Sequence, residues 1–267
     1  MPHYDAVIIG FGKAGKTLAP QIAARGRKVA IVEKSPLMYG GTCPNVGCIP
    51  SKALITRAKE INLLPTDWEM RRQAYRRAIQ DKNELTAALR SNMYNKLTEA
   101  GVEIIDGTGS FIDNKTLNVT TANGRRQITS DKFFINTGAV SFIPPIKGID
   151  SPRVYTSETL MNLSNLPQTL VIIGGGYIGL EFASMYANFG SKVVVLQDLP
   201  DFLPREDNDI SEAILKRLKA QGVEFHFGVK VEELADLEDK IEVKYQNQSQ
   251  SFRLKADAVL VAVSYTH

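Results

Sequence analysis

One pattern occurs twice in this 267-residue chain, and it limits the fold more than any other feature. Val7-Ile8-Ile9-Gly10-Phe11-Gly12-Lys13-Ala14-Gly15 returns as Val171-Ile172-Ile173-Gly174-Gly175-Gly176-Tyr177-Ile178-Gly179. The likeness continues at the same offset, where Gly26 to Glu33 is answered by Gly190 to Gln197. A repeat this long marks a duplicated domain, because solenoid units are far shorter. Each copy places an apolar run of strand length before G-x-G-x-x-G, an amphipathic helical stretch after it, and a second β-rich run beyond. The expected fold class is α/β, with two Rossmann-like dinucleotide-binding βαβ domains.

The three glycines of each copy have separate tasks. Gly10 and Gly174 suit a tight turn, Gly12 and Gly176 let the backbone approach a pyrophosphate, and Gly15 and Gly179 let helix pack closely on strand. The helix that follows offers unpaired N–H groups and a partial positive charge to phosphate. The copies differ at the end of their second strand. Glu33, 18 residues after Gly15, is placed to accept from ribose hydroxyls, whereas Gln197 stands at the matching position with Asp198 next to it. No arginine follows immediately to clamp a 2′-phosphate, so NADH is expected over NADPH. A plain polar strand end is the alternative for Gln197.

Both cysteines lie in Gly40-Gly41-Thr42-Cys43-Pro44-Asn45-Val46-Gly47-Cys48-Ile49-Pro50-Ser51-Lys52. Five residues along a regular helix separate Cα atoms by roughly 8–9 Å, and a disulfide tolerates at most about 7 Å. A bond between Cys43 and Cys48 therefore needs a distorted turn. Pro44 is expected to hold Cys43 outside regular helix, and Gly47 to give backbone freedom. A helix starting near Cys48 or Pro50 would favour a thiolate at Cys48. A redox pair is the favoured reading. Two inert thiols or an incidental contact remain open, and a metal site lacks a second ligand pair.

These segments resemble the pyridine nucleotide-disulfide oxidoreductases, the family of glutathione reductase, dihydrolipoamide dehydrogenase and mercuric reductase. Gly40 to Lys52 is similar to their active-site signature, departing at Pro44, where an aliphatic residue is usual. The resemblance implies that the first glycine motif binds FAD and the second NAD(P)H. It implies FAD contacts at Gly10, Gly12, Gly15, Glu33, Gly41, Thr42, Lys52, Gly109, Thr137 and Gly138. For NAD(P)H it implies Gly174, Gly176, Tyr177, Ile178, Gly179, Glu181 and Gln197. It also implies roles: Cys48 takes electrons from the flavin, Cys43 attacks the acceptor, Lys52 sits near the flavin N5 with Glu181 as its partner, and Tyr177 gates the nicotinamide site. Lys52 and Glu181 as surface charges, and Tyr177 as core, are the structural alternatives.

Ile9 to Ala19, Met38 to Cys43 and Phe202-Leu203-Pro204-Arg205-Glu206-Asp207 look like the bacterial reactive-chlorine-resistance branch, which reduces copper(II) or oxidised halogen and thiocyanate species. Dihydrolipoamide dehydrogenase is the rival, because Asn45 to Leu54 reads almost the same there. A nucleotide-binding module or thiol redox sensor without turnover is the alternative of another class.

The remaining sequence fits. Residues 1–147 are expected to form the FAD-binding portion and 148–267 the nicotinamide portion, divided at the stiff Ile143-Pro144-Pro145-Ile146-Lys147-Gly148. Thr66 to Ala100 reads as helix, with Arg71-Arg72 and Arg76-Arg77 on a solvated face. Val102 to Thr129 reads as short strands with a turn at Asn123-Gly124. Ile210 to Ala220 reads as helix, Val223 to Leu254 as strands with His226 among them, and Ala258 to Val263 as a strand. The family continues beyond such a strand into the rest of the FAD domain, a dimer interface and a catalytic His–Glu pair. The chain is accordingly expected to be C-terminally truncated, and the longer form to be a homodimer.

Composition bounds the class. Hydrophobic residues are 43% and charged residues 23%, and the net charge of +3 argues for neither nucleic acid nor a membrane surface. No apolar run reaches the ~18 residues of a membrane span, and the N-terminus does not read as a signal peptide. A cytoplasmic enzyme acting on a small-molecule electron acceptor is the expectation.

Overall fold

The first copy of the repeat folds as β1 (His3–Ile9), α1 (Lys13–Ala23) and β2 (Val29–Glu33). A single helical turn, α2 (Thr42–Asn45), precedes two long helices, α3 (Cys48–Asn62) and α4 (Trp68–Glu99). Then come β3 (Glu103–Asp106), β4 (Thr108–Phe111), β5 (Thr116–Thr121) and β6 (Gly124–Ile135). The computed structural model describes residues 1–248 and 250–262. It divides into two units, Met1–Pro50 with Asn83–Ala139, and Ser51–Lys82 with Val140 onward.

In the first unit a six-stranded sheet runs β3-β2-β1-β6-β5-β4. The strands from β3 to β6 are parallel, and β6-β5-β4 form an antiparallel meander. A parallel strand covered on both faces reads as a nearly continuous apolar run, and all five residues of β2 are buried, with Glu33 the one polar member at its end. Successive residues of β1 serve opposite faces. Val7 joins Ala30, Val32 and Leu117 on one side, while Ala6 and Ile8 join Ile31, Ala19 and Leu97 on the other. Truncating fully buried Ile31 to Ala would cost about 2–5 kcal/mol. The turn that joins β5 to β6 is Ala122-Asn123, one residue before the expected Asn123-Gly124, because Gly124 already opens β6 opposite Thr121, whose Oγ1 accepts from the Asn123 amide.

The second unit contains β7 (Val154–Tyr155), α5 (Ser157–Leu160), β8 (Thr169–Ile173), α6 (Tyr177–Phe189), β9 (Lys192–Leu196), α7 (Asn208–Ala220) and β10 (Glu224–His226). The strands β11 (Val229–Asp236), β12 (Ile241–Asn247), β13 (Gln250–Ala256) and β14 (Ala258–Val261) complete it. Its five-stranded sheet is wholly parallel in the order β10-β9-β8-β14-β7, and β11-β12-β13 form an antiparallel meander. The final strand ends at Val261; the expectation for Val263 lies outside the described residues. His226 ends β10 with its ring against Tyr245.

Arg71 departs from the solvated basic face expected for it. Its guanidinium donates to the Asn188 carbonyl at 3.2 Å, at the end of α6. That helix closes through Gly190 at φ 103, a left-handed position, and a Cβ on Gly190 would come within 2.8 Å of Arg71 Cδ. A cation at the last carbonyls of a helix is favourable, and Gly admits the conformation. No helix among the described residues is long and apolar enough to cross a membrane.

Candidate functional site

Both glycine turns leave the C-terminal end of a strand whose neighbours lie on opposite sides: β1 between β2 and β6, and β8 between β9 and β14. Ligands of open α/β sheets bind at such switch points. Gly10 shows why no other residue serves in the first turn. Its φ is 104, and a Cβ there would lie 2.2 Å from the Asn136 carbonyl oxygen. Asn136 braces the turn, its amide donating to the Ile9 carbonyl and its Nδ2 to the Gly10 carbonyl at 3.1 Å. It was not singled out in the sequence, although it directly precedes Thr137-Gly138. Thr137 lies beside Gly10, and Gly138 has φ 73 in the coil after β6. Gly109 lies in β4, opposite Val119.

Gly12 and Gly176 are the N-caps of α1 and α6, and neither helix start has a side-chain cap. The first backbone N–H groups of both helices thus remain available to an anion. Gly15 and Gly179 are buried in the first turns of α1 and α6. Ile178 is half-buried at the second position of α6. The strand-end residues hold their turns in matching ways. Glu33 Oε2 accepts from the Phe11 amide at 2.8 Å and Oε1 from the Ser35 amide at 3.1 Å. Gln197 Oε1 accepts from the Gly175 amide at 2.6 Å, while its Nε2 donates to Asp198 at 3.2 Å.

The cysteine segment approaches the first glycine turn directly. Gly41 has φ 81, and a Cβ on it would sit 2.7 Å from Gly12 Cα. Thr42 and Cys43, both exposed, begin α2, so Cys43 is within a helical turn and not outside one as the sequence implied. Pro44 falls in the first turn of α2, where its missing N–H forfeits no helical bond. The distortion comes after, at Val46 with φ −137 and ψ 13. Gly47 supplies space, since a Cβ would lie 3.1 Å from the Thr42 carbonyl oxygen. Cys48 then begins α3.

The two sulfurs are thiols, both exposed, and Cys43 is hydrogen-bonded to the side chain and backbone of Cys48. Burial and the neighbouring Cys48 push the Cys43 thiol up from its usual pKa, and Lys16 opposes that rise. The Lys16 ammonium donates to the Gly40 carbonyl at 2.8 Å and to the Met93 sulfur at 3.2 Å. Asn45, buried, ties the turn down through Nδ2 to the carbonyls of Tyr39 and Gly41, and Arg90 donates to its Oδ1. Lys16 and Asn45 both escaped sequence reasoning, because each looks like an ordinary polar residue until the turn is folded.

In the second unit, Lys52 and Glu181 form an ion pair, from α3 and α6 respectively. Tyr177 is 65% exposed, and its hydroxyl donates to Glu206. A cavity of about 350 Å³ is lined by Gly175, Gly176, Tyr177, Gln197, Asp198 and Arg205, among others. Arg205 is a cation that spacing along the sequence did not place there. A Cβ on Gly176 would meet nothing within 4 Å. The uncapped helix starts, the carboxylate at Glu33 and this cavity fit dinucleotides at both turns. Among the described residues, no group of three or more His, Cys, Asp or Glu is placed to hold a metal.

The profile of the pyridine nucleotide-disulphide oxidoreductases matches residues 4–266. The chain belongs to this family. Among curated relatives, it is 47% identical over 264 residues to the probable pyridine nucleotide-disulfide oxidoreductase RclA of Escherichia coli (strain K12), covering 98% of this chain and 56% of that one. It is 36% identical to a mercuric reductase of Bacillus cereus, with 97% and 41% covered. A dihydrolipoyl dehydrogenase of Geobacillus stearothermophilus is 34% identical, with 97% and 56% covered. A solved structure of a Cu(II) complex of the HOCl-induced flavoprotein disulfide reductase RclA from Escherichia coli superposes with a TM-score of 0.90 at 46% identity, covering 99% of this chain and 57% of that one. The chain spans about half the length of these members of the family.

Proposed function

We propose that this chain carries the dinucleotide-binding and dithiol portions of a FAD-dependent NAD(P)H oxidoreductase, with residues 1–147 serving FAD and 148–267 serving the nicotinamide nucleotide. The observation that carries the reading is the Cys43–Cys48 thiol pair on a turn whose Gly41 abuts Gly12 of the first glycine loop. FAD, when bound, supplies a hydride acceptor and a two-electron donor to a disulfide. The chain's own residues then have distinct tasks. The α1 N-terminus and Glu33 hold one dinucleotide, and the α6 N-terminus and Gln197 hold the other. Thr42, Gly109, Thr137 and Gly138 add contacts to the flavin nucleotide. Lys52, kept in place by Glu181, supplies positive charge where the flavin gains negative charge.

Opening of the Cys43–Cys48 bond takes two electrons and leaves two sulfurs sharing a proton or bearing charge. Cys48 is the sulfur that faces the reductant, and Cys43 the one that delivers electrons outward. Asp198 in the cavity of the second unit is a carboxylate that opposes a 2′-phosphate, which supports NADH, with Arg205 as the opposing influence. The acceptor is a small molecule. Similarity to RclA, whose structure was determined with Cu(II), supports copper(II) or an oxidised halogen or thiocyanate species. The longer protein is a cytoplasmic homodimer in this reading.

The test is reconstitution of the 267-residue chain with FAD, followed by anaerobic NADH. Bleaching of bound flavin, and two thiols appearing per oxidised chain, support the proposal. Flavin uptake without bleaching would reduce it to a binding module. Thiol oxidation without flavin uptake would favour a redox sensor. Comparing copper(II), hypothiocyanite, lipoamide and glutathione disulfide as acceptors separates the RclA-like reading from a dihydrolipoamide dehydrogenase.

A further inference from the structure

The exposed thiol of Cys43 lies beside a cation that the fold holds in place. Lys16, in the first turn of α1, carries its ammonium to the cysteine segment, donating to the Gly40 carbonyl at 2.8 Å and to the Met93 sulfur at 3.2 Å. Glycine at position 40 admits this approach. Gly40 has φ 95, and a Cβ on it would lie 2.3 Å from the Met93 sulfur, 2.9 Å from Pro44 Cγ and 3.5 Å from Lys16 Nζ. Both acceptors of the ammonium are uncharged, and the ionisable groups that act on it are Lys13, a second cation, and Cys43 itself. Burial, and then Lys13, lower the Lys16 ammonium from its usual pKa, while Cys43 opposes that change. Lys16 is half-buried, and a charge in that setting is screened by salt less than one in open water.

We propose that Lys16 determines specificity at Cys43 by charge, drawing an anionic acceptor such as a carboxylate-bearing disulfide to the thiol and disfavouring a cationic one. This rests on the reading of Cys43 as the sulfur that delivers electrons outward. In the step concerned, the Cys43 thiolate attacks one sulfur of the acceptor disulfide, forming a mixed disulfide and releasing the other sulfur as a thiolate. The Cys48 thiolate then attacks Cys43, which closes the Cys43–Cys48 bond and releases the second acceptor thiolate. The protein dithiol loses two electrons and its two protons, and the acceptor gains two electrons and becomes two thiols or thiolates. An anionic acceptor meets the attacking thiolate as a like charge, and the fixed ammonium offsets that repulsion. A neutral acceptor gains nothing from Lys16, and a cationic one is repelled by it.

Three aliphatic disulfides of similar size test this: dithiodiglycolate, a dianion, hydroxyethyl disulfide, which is neutral, and cystamine, a dication. Their second-order rates are measured at one pH with the 267-residue chain carrying Cys48→Ser, in which Cys43 is the one remaining cysteine. The same chain is then made with Lys16→Met and with Lys16→Arg. A change in the thiolate fraction of Cys43 alters all three rates by one factor, so the ratio between disulfides isolates the charge of the acceptor. Lys16→Met is expected to lower the ratio of dithiodiglycolate to cystamine by about tenfold or more, and Lys16→Arg to keep it. Added salt should shrink the ratio in the chain that retains Lys16. Equal slowing of all three disulfides in Lys16→Met would mean that Lys16 acts on the thiol alone and would overturn the proposal, as would three unchanged rates. A ratio indifferent to salt would overturn it with no substitution at Lys16, which covers a Lys16→Met chain that fails to fold. In the reciprocal Cys43→Ser chain, faster reaction at Cys48 than at Cys43 would remove the outward role of Cys43, and this inference with it.

Discussion

The side-chain oxygen of Gln197 accepts a 2.6 Å hydrogen bond from the amide of Gly175, in the glycine turn it follows by one strand and one helix. The Glu33 carboxylate does the same for Phe11 in the other copy. The strand-end residue therefore supports its own glycine turn, besides the ribose contact proposed for it. Gln197→Leu should loosen the turn and weaken NADH binding together, costing about 1–3 kcal/mol, whereas Gln197→Glu should preserve the turn. Calorimetric titration and thermal melts of both variants measure the two effects. Wild-type affinity in Gln197→Leu would show that the turn needs no such support.

Glu33 is buried and accepts from two amides, so its removal leaves both donors unpaired. Glu33→Ala is expected to lower stability by about 2–4 kcal/mol, more than one lost bond, because unsatisfied buried donors are costly. Denaturant unfolding gives the stability. Flavin retained after gel filtration gives the binding effect, and it should fall as well.

Lys52 and Glu181 are both substantially exposed, with 59% and 45% of their side chains accessible. An exposed pair contributes about 0–1 kcal/mol to stability. Glu181→Gln should therefore leave the melting temperature nearly unchanged and slow NADH-driven flavin reduction in stopped flow. A large drop in stability with normal reduction would reverse the assignment, making the pair structural.

Lys16 opposes the burial that raises the Cys43 thiol. Lys16→Met should shift the alkylation profile of Cys43 by iodoacetamide to higher pH, and Lys16→Arg should keep it near wild type. Mass spectrometry resolves the label at Cys43 from that at Cys48. An unmoved profile in Lys16→Met would leave Lys16 with only its bonds to Gly40 and Met93.

Glu233 is held at about 2 by Lys147 and Lys244, against an ordinary value of 4.5. A carboxylate depressed on folding adds stability that is fully present above its unfolded pKa and disappears as pH falls through the folded one. The contribution should thus fade between about pH 4.5 and 2, and added salt should weaken it because Lys147 is exposed. Urea midpoints across that window for wild type and Glu233→Gln check this, and the variant should show the shallower pH dependence.

The repeated turn, its alternating strands and the helix starting at Cys48 were legible in the sequence because each depends on local pattern: apolar runs, glycine spacing and a proline-containing turn. The placement of Cys43 was not. Pro44 was expected to exclude it from helix, but helix position decides what proline costs, and a single turn has no interior. Arg71 was misread for a different reason. A charge run on a helix gives no sign that one member reaches the end of another helix 117 residues away.

The sequence by itself determined the duplicated α/β topology, the two dinucleotide turns and the dithiol segment, since backbone sterics and burial on both faces of a parallel sheet leave few other readings of those residues. Only the tertiary structure decided which side chains meet. Asn136 braces Gly10, Lys16 reaches the cysteine turn, Arg71 reaches the Asn188 carbonyl, and Tyr177 is held by Glu206. Each of these contacts joins segments far apart in the chain, and long-range hydrogen bonds and ion pairs leave no periodic trace in a sequence.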